Sequence, residues 1–422
     1  MRYEKYKQTG IHWLPEVPEE WTLPRVRQIL RERIDKSDTG LEEPLSMSQK
    51  YGILPTNQMD VVPNAASTYV GAKRVKVNDI VFNKLKAHLG VFAVSAYDGL
   101  VSPDYAVYQT KDIADRRFIE YLFHTPQYIS EFRRNARGVA QGLTRLYTND
   151  LFSTRFICPT FPEQRAIVAY LDDKCGKIDD LVAAKEKEVE LLKELKQTVI
   201  VGAVTRGVGG GGDRRLVPSG IPWLPQIPEG WEVKRAKYLF RKEQRPVAPG
   251  DDIVTCFRDG EVTLRKNRRT SGFTEATDYS HYQHICKGDL VIHQMDAFAG
   301  STGVSDSDGM GTPVLSVCTP RREGVDVYYY ARLIRLMGLN GFIQSLYRGI
   351  RERSSDFRFE TFAKLLLPVP PLDEQRAIVA YIEEKTAKID QAVAGLTQQV
   401  AALKEYKQRL IADVVTGQMR VA

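Results

Sequence analysis

The chain has 422 residues, 43% hydrophobic and 27% charged with both signs mixed, which supports two or more packed domains and excludes a disordered or fibrous protein. A formal net charge of +7 permits nucleic acid as a partner without demanding it. Five cysteines, at 158, 175, 256, 286 and 318, form no CxxC pair, and no apolar run reaches the roughly 18 residues of a membrane span. A disulfide framework, a zinc ribbon and an integral membrane protein are therefore not expected, and with no apolar stretch in the N-terminal MRYEKYKQTG the expected location is the cytoplasm.

The first element in chain order is GIHWLPEVPEEW, Gly10 to Trp21, and it returns as GIPWLPQIPEGW at Gly220 to Trp231, 210 positions later. Next, NDIVFNKLKAHLGVFAVSAYDGLVSPDYAV from Asn78 aligns without gaps on GDLVIHQMDAFAGSTGVSDSDGMGTPVLSV from Gly288. Asp79 then matches Asp289, Gly90 matches Gly300, Gly99 matches Gly309 and Pro103 matches Pro313. Alternating runs such as DIVFNKL and DLVIHQM predict strands, while FIEYLFHTPQYISEFRRN and DVYYYARLIRLMGLNGFIQSLYRG predict helices. The globular parts are thus expected to be mixed α+β.

EQRAIVAY at Glu163 to Tyr170 recurs at Glu374 to Tyr381, and each copy opens a long stretch without proline. Leu171, Ile178, Leu192 and Val199 share one heptad slot, with Lys185 at the middle position of the series. Ile382, Ile389, Leu396, Leu403 and Leu410 fill the equivalent slots of the second copy. This spacing predicts two helices of about 40 residues, roughly 60 Å each, paired as a coiled coil through these positions. Lys185 weakens the pairing there, or lays its stem along it with the amine in water. The prolines before each copy suit a first helical turn, and Glu163 and Glu374 suit the positive helix end. The polar residues that cover the rest of each helix form a solvated face or a dock for a partner protein. Between the copies, GVGGGGD (207–213) predicts a flexible link that lets the helices run antiparallel.

The predicted organisation is globular part, helix, globular part, helix: residues 1–160, 161–206, 207–371 and 372–422. Basic residues gather on predicted loops. In the first part they are Lys84, Lys86, Arg133, Arg134, Arg137 and Arg145. In the second they are Arg258, Arg265, Lys266, Arg268, Arg269, Arg348, Arg351 and Arg353, with Gln294 beside them. Arginine forks and amides read base edges while lysines hold phosphates, so these are the candidate DNA-binding residues. Any one of them alone is an ordinary solvated side chain, and RKNRRT (265–270) is the densest group. NKLKAH (83–88) aligns with HQMDAF (293–298), keeping the apolar frame while Lys84 becomes Gln294, Lys86 becomes Asp296 and His88 becomes Phe298. Two readers of different sequence would show this pattern, and so would surface drift.

Catalytic signatures are missing. No Walker A or NPPY-type motif occurs, and the acids after Pro103-Asp104 lack the lysine that would complete a nuclease set. His281, His284, Cys286 and His293 match no closed zinc spacing, so no metal site is expected. A binder without a catalytic centre fits better than a self-contained nuclease, and two divergent basic domains argue against a purely structural coiled-coil adaptor.

The tandem order of GI-x-W-LP-x-[IV]-PE-x-W, a divergent domain, P-x-x-EQRAIVAY-[LI] and a long helix resembles the specificity subunit of type I restriction-modification systems over nearly the whole chain. That resemblance implies two mixed target recognition domains separated by two long antiparallel coiled-coil helices in a pseudo-two-fold arrangement. Each domain would grip one half of a bipartite, asymmetric site on double-stranded DNA, with the helices setting the spacing. Two modification subunits would bind S-adenosylmethionine and methylate adenine at N6, and two restriction subunits would use ATP and Mg. The chain itself would bind no cofactor and catalyse nothing.

Overall fold

A computed structural model of the chain describes residues 2–49, 51–59, 68–138, 144–212, 214–268, 271, 279–346 and 356–421. The chain divides into two compact units, Met1–Glu186 with Thr397–Ala422, and Lys187–Leu396, each mixed α+β and each containing part of both long helices.

The first unit opens with an antiparallel hairpin of Tyr6–Ile11 and Leu14–Pro18. Its four-stranded antiparallel sheet runs Leu30–Glu32, Tyr105–Thr110, Ile80–Asn83, Phe92–Val94. Successive side chains on a strand point to opposite faces. In DIVF, Ile80 and Phe82 therefore join the large core with Trp21, Phe118 and Phe132, whereas Val81 enters a smaller core with Leu45, Ile53 and Val107. Burial on both faces explains why this strand reads as a continuous apolar run. FIEYLFHTPQYISEFRRN folds as two helices, Arg116–Phe123 and Pro126–Asn135. Pro126 cannot continue the first but suits the opening turn of the second. Asp115 caps the first helix, accepting from the Arg117 and Phe118 amides.

The second unit repeats the plan: a hairpin of Leu216–Ile221 and Leu224–Pro228, then a sheet ordered Phe240–Lys242, Leu315–Pro320, Leu290–His293, Thr302–Val304. Leu290 and Ile292 face the core that holds Trp231 and Tyr330, and Val291 faces a smaller one with Val254 and Ile285. Backbone conformation repeats as well. Asn78 and Gly288 occupy equivalent left-handed positions, φ 75° and 92°, and asparagine tolerates that region better than most residues. At the matched Gly99 and Gly309, a β-carbon would lie 2.4 Å from the carbonyl oxygens of Glu43 and Asp252, so only glycine permits the approach.

The long helices are Phe161–Arg206, 46 residues, and Leu372–Val415, 44 residues. In the first unit Ile167, Leu171 and Cys175 of one share a core with Leu410, Val414 and Val415 of the other. Lys407 pairs with Asp179 at 2.6 Å and Lys404 with Glu186 at 2.8 Å, so the segments run antiparallel. In the second unit Ala203 and Val204 pack with Ile378 and Ile382, and Lys196 meets Asp390 at 2.7 Å. Of the heptad residues, Leu171, Ile382, Ile389 and Leu410 are buried, and Ile178, Leu192, Val199, Leu396 and Leu403 are half-buried. The deepest positions are those with a globular core behind the helix. Lys185 Nζ donates to Gln399 Oε1 at 2.6 Å, which gives the polar residue in the heptad series a partner. Among the described residues no helix is long and apolar enough to cross a membrane.

Candidate nucleic-acid interface

The two repeated motifs bind each other. In the first unit the Trp21 indole donates to Glu163 Oε2 at 3.0 Å, and the Tyr3 hydroxyl donates to Oε1 at 2.7 Å. In the second, the Trp231 indole donates to Glu374 Oε2 at 3.0 Å and Arg214 takes the place of Tyr3 on Oε1. Burial, then the bond to Glu163, pushes the Tyr3 hydroxyl well above its ordinary pKa. The neighbouring glutamines are fully buried. Gln164 Nε2 donates to the carbonyls of Ile113 at 3.1 Å and Pro159 at 3.0 Å, while Oε1 accepts the Asp115 amide at 2.8 Å. Gln375 does the same with Gly324 (3.0 Å), Pro370 (2.8 Å) and the Asp326 amide (2.8 Å). The "EQ" pair thus locks the start of each long helix to the domain it leaves, with the glutamate on the WLP segment and the glutamine on the loop that caps an earlier helix of that domain.

A second internal link recurs in the sheets. Arg33 grips Asp79 at 2.7 and 3.2 Å, and Arg245 grips Asp289 at 2.5 and 3.3 Å. Each aspartate also accepts a backbone amide, from Lys76 and Cys286 respectively, both at 2.8 Å. The carboxylates are nearly inaccessible, and the bidentate geometry satisfies them.

The structure gathers part of the first basic set. Lys84 and Lys86 lie in the turn after Ile80–Asn83, and the Lys84 carbonyl accepts the Leu146 amide at 2.9 Å. Arg145, next to Leu146, bridges to Arg137 through reciprocal backbone bonds of 2.8 Å. Lys84, Arg137 and Arg145 therefore share one edge. Arg133 acts on His88, which it and burial hold below the ordinary histidine pKa, burial being the larger cause. Arg134 turns elsewhere, to Glu131 at 2.8 Å and His12 at 3.0 Å. Arg137 pairs with Asp150 at 2.5 Å and Arg145 with Asp104 at 3.4 Å. Among the described residues, Lys84, Lys86 and Arg133 have no carboxylate at ion-pair distance.

In the second unit three of the candidate cations, Arg258, Lys266 and Arg268, are engaged by acids. Arg258 pairs with Asp296 at 2.8 Å, Lys266 with Asp252 at 2.5 Å, and Arg268 with Asp259 at 2.7 Å and Glu261 at 2.8 Å. Arg268 also stacks over Phe257, 4.3 Å from the ring centroid. Arg265 begins the short turn Arg265–Asn267, its amide bonded to the Ile253 carbonyl at 2.7 Å. Gln294 Nε2 reaches the Pro313 carbonyl and the Ser316 hydroxyl, both at 3.3 Å, so its amide is half committed to the fold. Arg269, Arg348, Arg351 and Arg353 lie outside the described residues.

The residues that sequence reasoning did not single out are Tyr3, Arg33, Arg245 and the roles of Gln164 and Gln375. The co-recurrence of PE-x-W with EQ was the available signal for the Trp–Glu contact. The arginines escaped because Arg33 and Arg245 are 212 positions apart while their aspartates are 210 apart.

Fold and motif together define a duplicated α+β protein in which each unit is locked to a long antiparallel helix pair. No family model matches the chain. It is 23% identical over 329 residues to the Escherichia coli type I restriction enzyme EcoBI specificity subunit, covering 73% of this chain and 67% of that protein. It is 20% identical over 446 residues to a Methanocaldococcus jannaschii protein named as type I restriction enzyme MjaX specificity subunit, covering 99% and 97%. Among solved structures, one described for complex assembly and conformational transition of the type I R-M system superposes with TM-score 0.70 at 17% identity, covering 96% and 99% of the two chains. The HsdS subunit from Thermoanaerobacter tengcongensis gives 0.55 at 17% identity, covering 96% and 98%. By sequence the chain is similar to type I restriction enzyme specificity subunits, and it shares the fold of the HsdS subunit.

Proposed function

We propose that this chain is the non-catalytic DNA-recognition subunit of a type I restriction-modification complex, binding a bipartite asymmetric site with one half-site per unit. The observation that carries the reading is the contrast between frame and tips. The Trp–Glu contact, the glutamine lock and the buried Arg–Asp pair recur in both units. The turns after the matched strands differ in every polar residue: Lys84, Lys86 and His88 against Gln294, Asp296 and Phe298. One scaffold with two different edges is what reading two unlike half-sites requires.

Two modification subunits dock on the repeated helix starts. Arg165 and Ala169 in one copy, and Arg376 and Ala380 in the other, are the identical residues left exposed once the Glu and Gln are used internally. Those subunits carry S-adenosylmethionine, two restriction subunits carry ATP and Mg, and the assembly works in the cytoplasm. Within this reading the domains are residues 1–160 and 207–371, and the spacers 161–206 and 372–422.

Lys84 and Lys86 test the DNA-binding claim because, among the described residues, no carboxylate holds them. In the assembled complex, Lys84→Ala with Lys86→Ala will weaken DNA binding and lower the slope of log K against log salt by about 2, one released counterion per lysine. Fluorescence anisotropy across a salt series measures it. An unchanged slope with unchanged affinity removes this edge from the interface.

A further inference from the structure

We infer that His284, Cys286 and Asp308 in the second unit form a binding site for a zinc-class divalent cation. His284 and Cys286 alternate along one edge of strand Gln283–Ile285 and its continuation, so they face the same side. That strand pairs with Gly309–Gly311, Ile285 opposite Gly309, which brings Asp308 beside Cys286. The histidine nitrogen, cysteine sulfur and carboxylate oxygen lie within 4.8 Å of one another. On zinc, bonds of about 2.0–2.3 Å set ligand atoms about 3.3–3.8 Å apart, so a modest turn of the exposed Asp308 side chain closes the set. His284 Nδ1 meets Asp251 Oδ2 at 2.8 Å, a carboxylate–imidazole contact of the kind that orients a metal-binding ring. Asp251 is fixed in turn by the Ala248 amide at 2.9 Å.

The first unit supplies an independent argument. The positions 210 earlier are Arg74, Lys76 and Asp98. There Lys76 pairs with Asp98 at 3.1 Å, and Arg74 pairs with Glu42 at 2.7 Å and Asp35 at 3.0 Å. The aspartates are held alike, Asp98 by the Val77 amide at 2.7 Å and Asp308 by the Lys287 amide at 2.9 Å. The second unit keeps acids at this place and replaces both protein cations with the two residue types that best ligate a soft-to-borderline metal. A bound cation supplies the charge that Arg74 and Lys76 supply in the first unit. Binding exchanges the Cys286 S–H bond for a sulfur–metal bond and releases the proton to solvent. The ion ties the segment at Asp251 to the strand pair. The next residue, Asp252, holds Lys266 through its carboxylate and the Met310 amide through its carbonyl.

Titrating the full chain with Co²⁺ as the optical probe tests this. The expected result is one equivalent bound with a thiolate-to-cobalt charge-transfer band and strong tetrahedral visible absorption, displaced by Zn²⁺. Cys286→Ser abolishes the band, His284→Ala and Asp308→Asn weaken binding at least tenfold, and Asp251→Asn weakens it about tenfold. Zn²⁺ raises the thermal midpoint of the parent chain but not of Cys286→Ser, whose metal-free midpoint matches that of the metal-free parent and shows that the variant folds. No charge-transfer band, a band that survives Cys286→Ser, or an equal Zn²⁺ shift in that variant overturns the site.

Discussion

Gln164→Ala will lower stability by about 3 kcal/mol, and Gln375→Ala will lower it by the same amount. Each glutamine is fully buried and spends both ends of its amide on backbone groups. Truncation leaves two carbonyls and one amide without that partner, and a buried unsatisfied group costs about 1–3 kcal/mol. Entry of water into the space recovers part of the sum, which keeps the net near the cost of one or two groups. The amides concerned belong to Asp115 and Asp326, the caps of helices Arg116–Phe123 and Val327–Leu339, so the loss also loosens those helix starts. Urea unfolding followed by circular dichroism measures both variants. A loss below about 1 kcal/mol in either would show that the glutamine is not the lock described here.

Ile382→Asp will prevent the second unit from folding. Ile382 is fully buried in a core with Ala203, Val204 and Leu333, so the change removes about 3 kcal/mol of apolar burial and packing and places an unpaired carboxylate in that space. Together these terms approach the whole stability of an ordinary domain. Leu403→Asp is the contrasting case. Leu403 is half-buried, its carboxylate can reach water, and a loss of about 1–2 kcal/mol is expected. Solubility and far-ultraviolet circular dichroism separate the two. Equal losses would mean that the depth of the helix pairing does not follow the buried positions.

Much of this was legible in the sequence because duplication supplies its own alignment. The heptad slots and the matched strands follow from period and offset alone, whereas the left-handed backbone at Asn78 and Gly288 is seen only in the structure. The break at Thr125-Pro126 was missed because the 3.6-residue pattern runs through both helices. What stayed hidden depends on pairing between distant segments. Nothing local says that Trp21 meets Glu163, or that Asp308 sits beside Cys286. The histidine and cysteine group that sequence spacing offered included His281 and His293. The fold leaves both out of the Cys286 cluster and brings in an aspartate from the neighbouring strand. The basic residues were legible as a set but not by state. Arg258, Lys266 and Arg268 are ion-paired, whereas among the described residues Lys84 and Lys86 are not, and that depends on acids placed by the fold.

The most direct test of the recognition role is a methylome. The chain is expressed with its modification partner in a host lacking adenine methylation, and N6-methyladenine is mapped by single-molecule sequencing. The expected result is one split, asymmetric motif methylated on both strands, in which exchanging residues 207–371 for those of another specificity subunit changes one half of the motif and leaves the other intact. An assembled complex that methylates no split motif, or an exchange that alters both halves together, would contradict the assignment of one half-site to each unit.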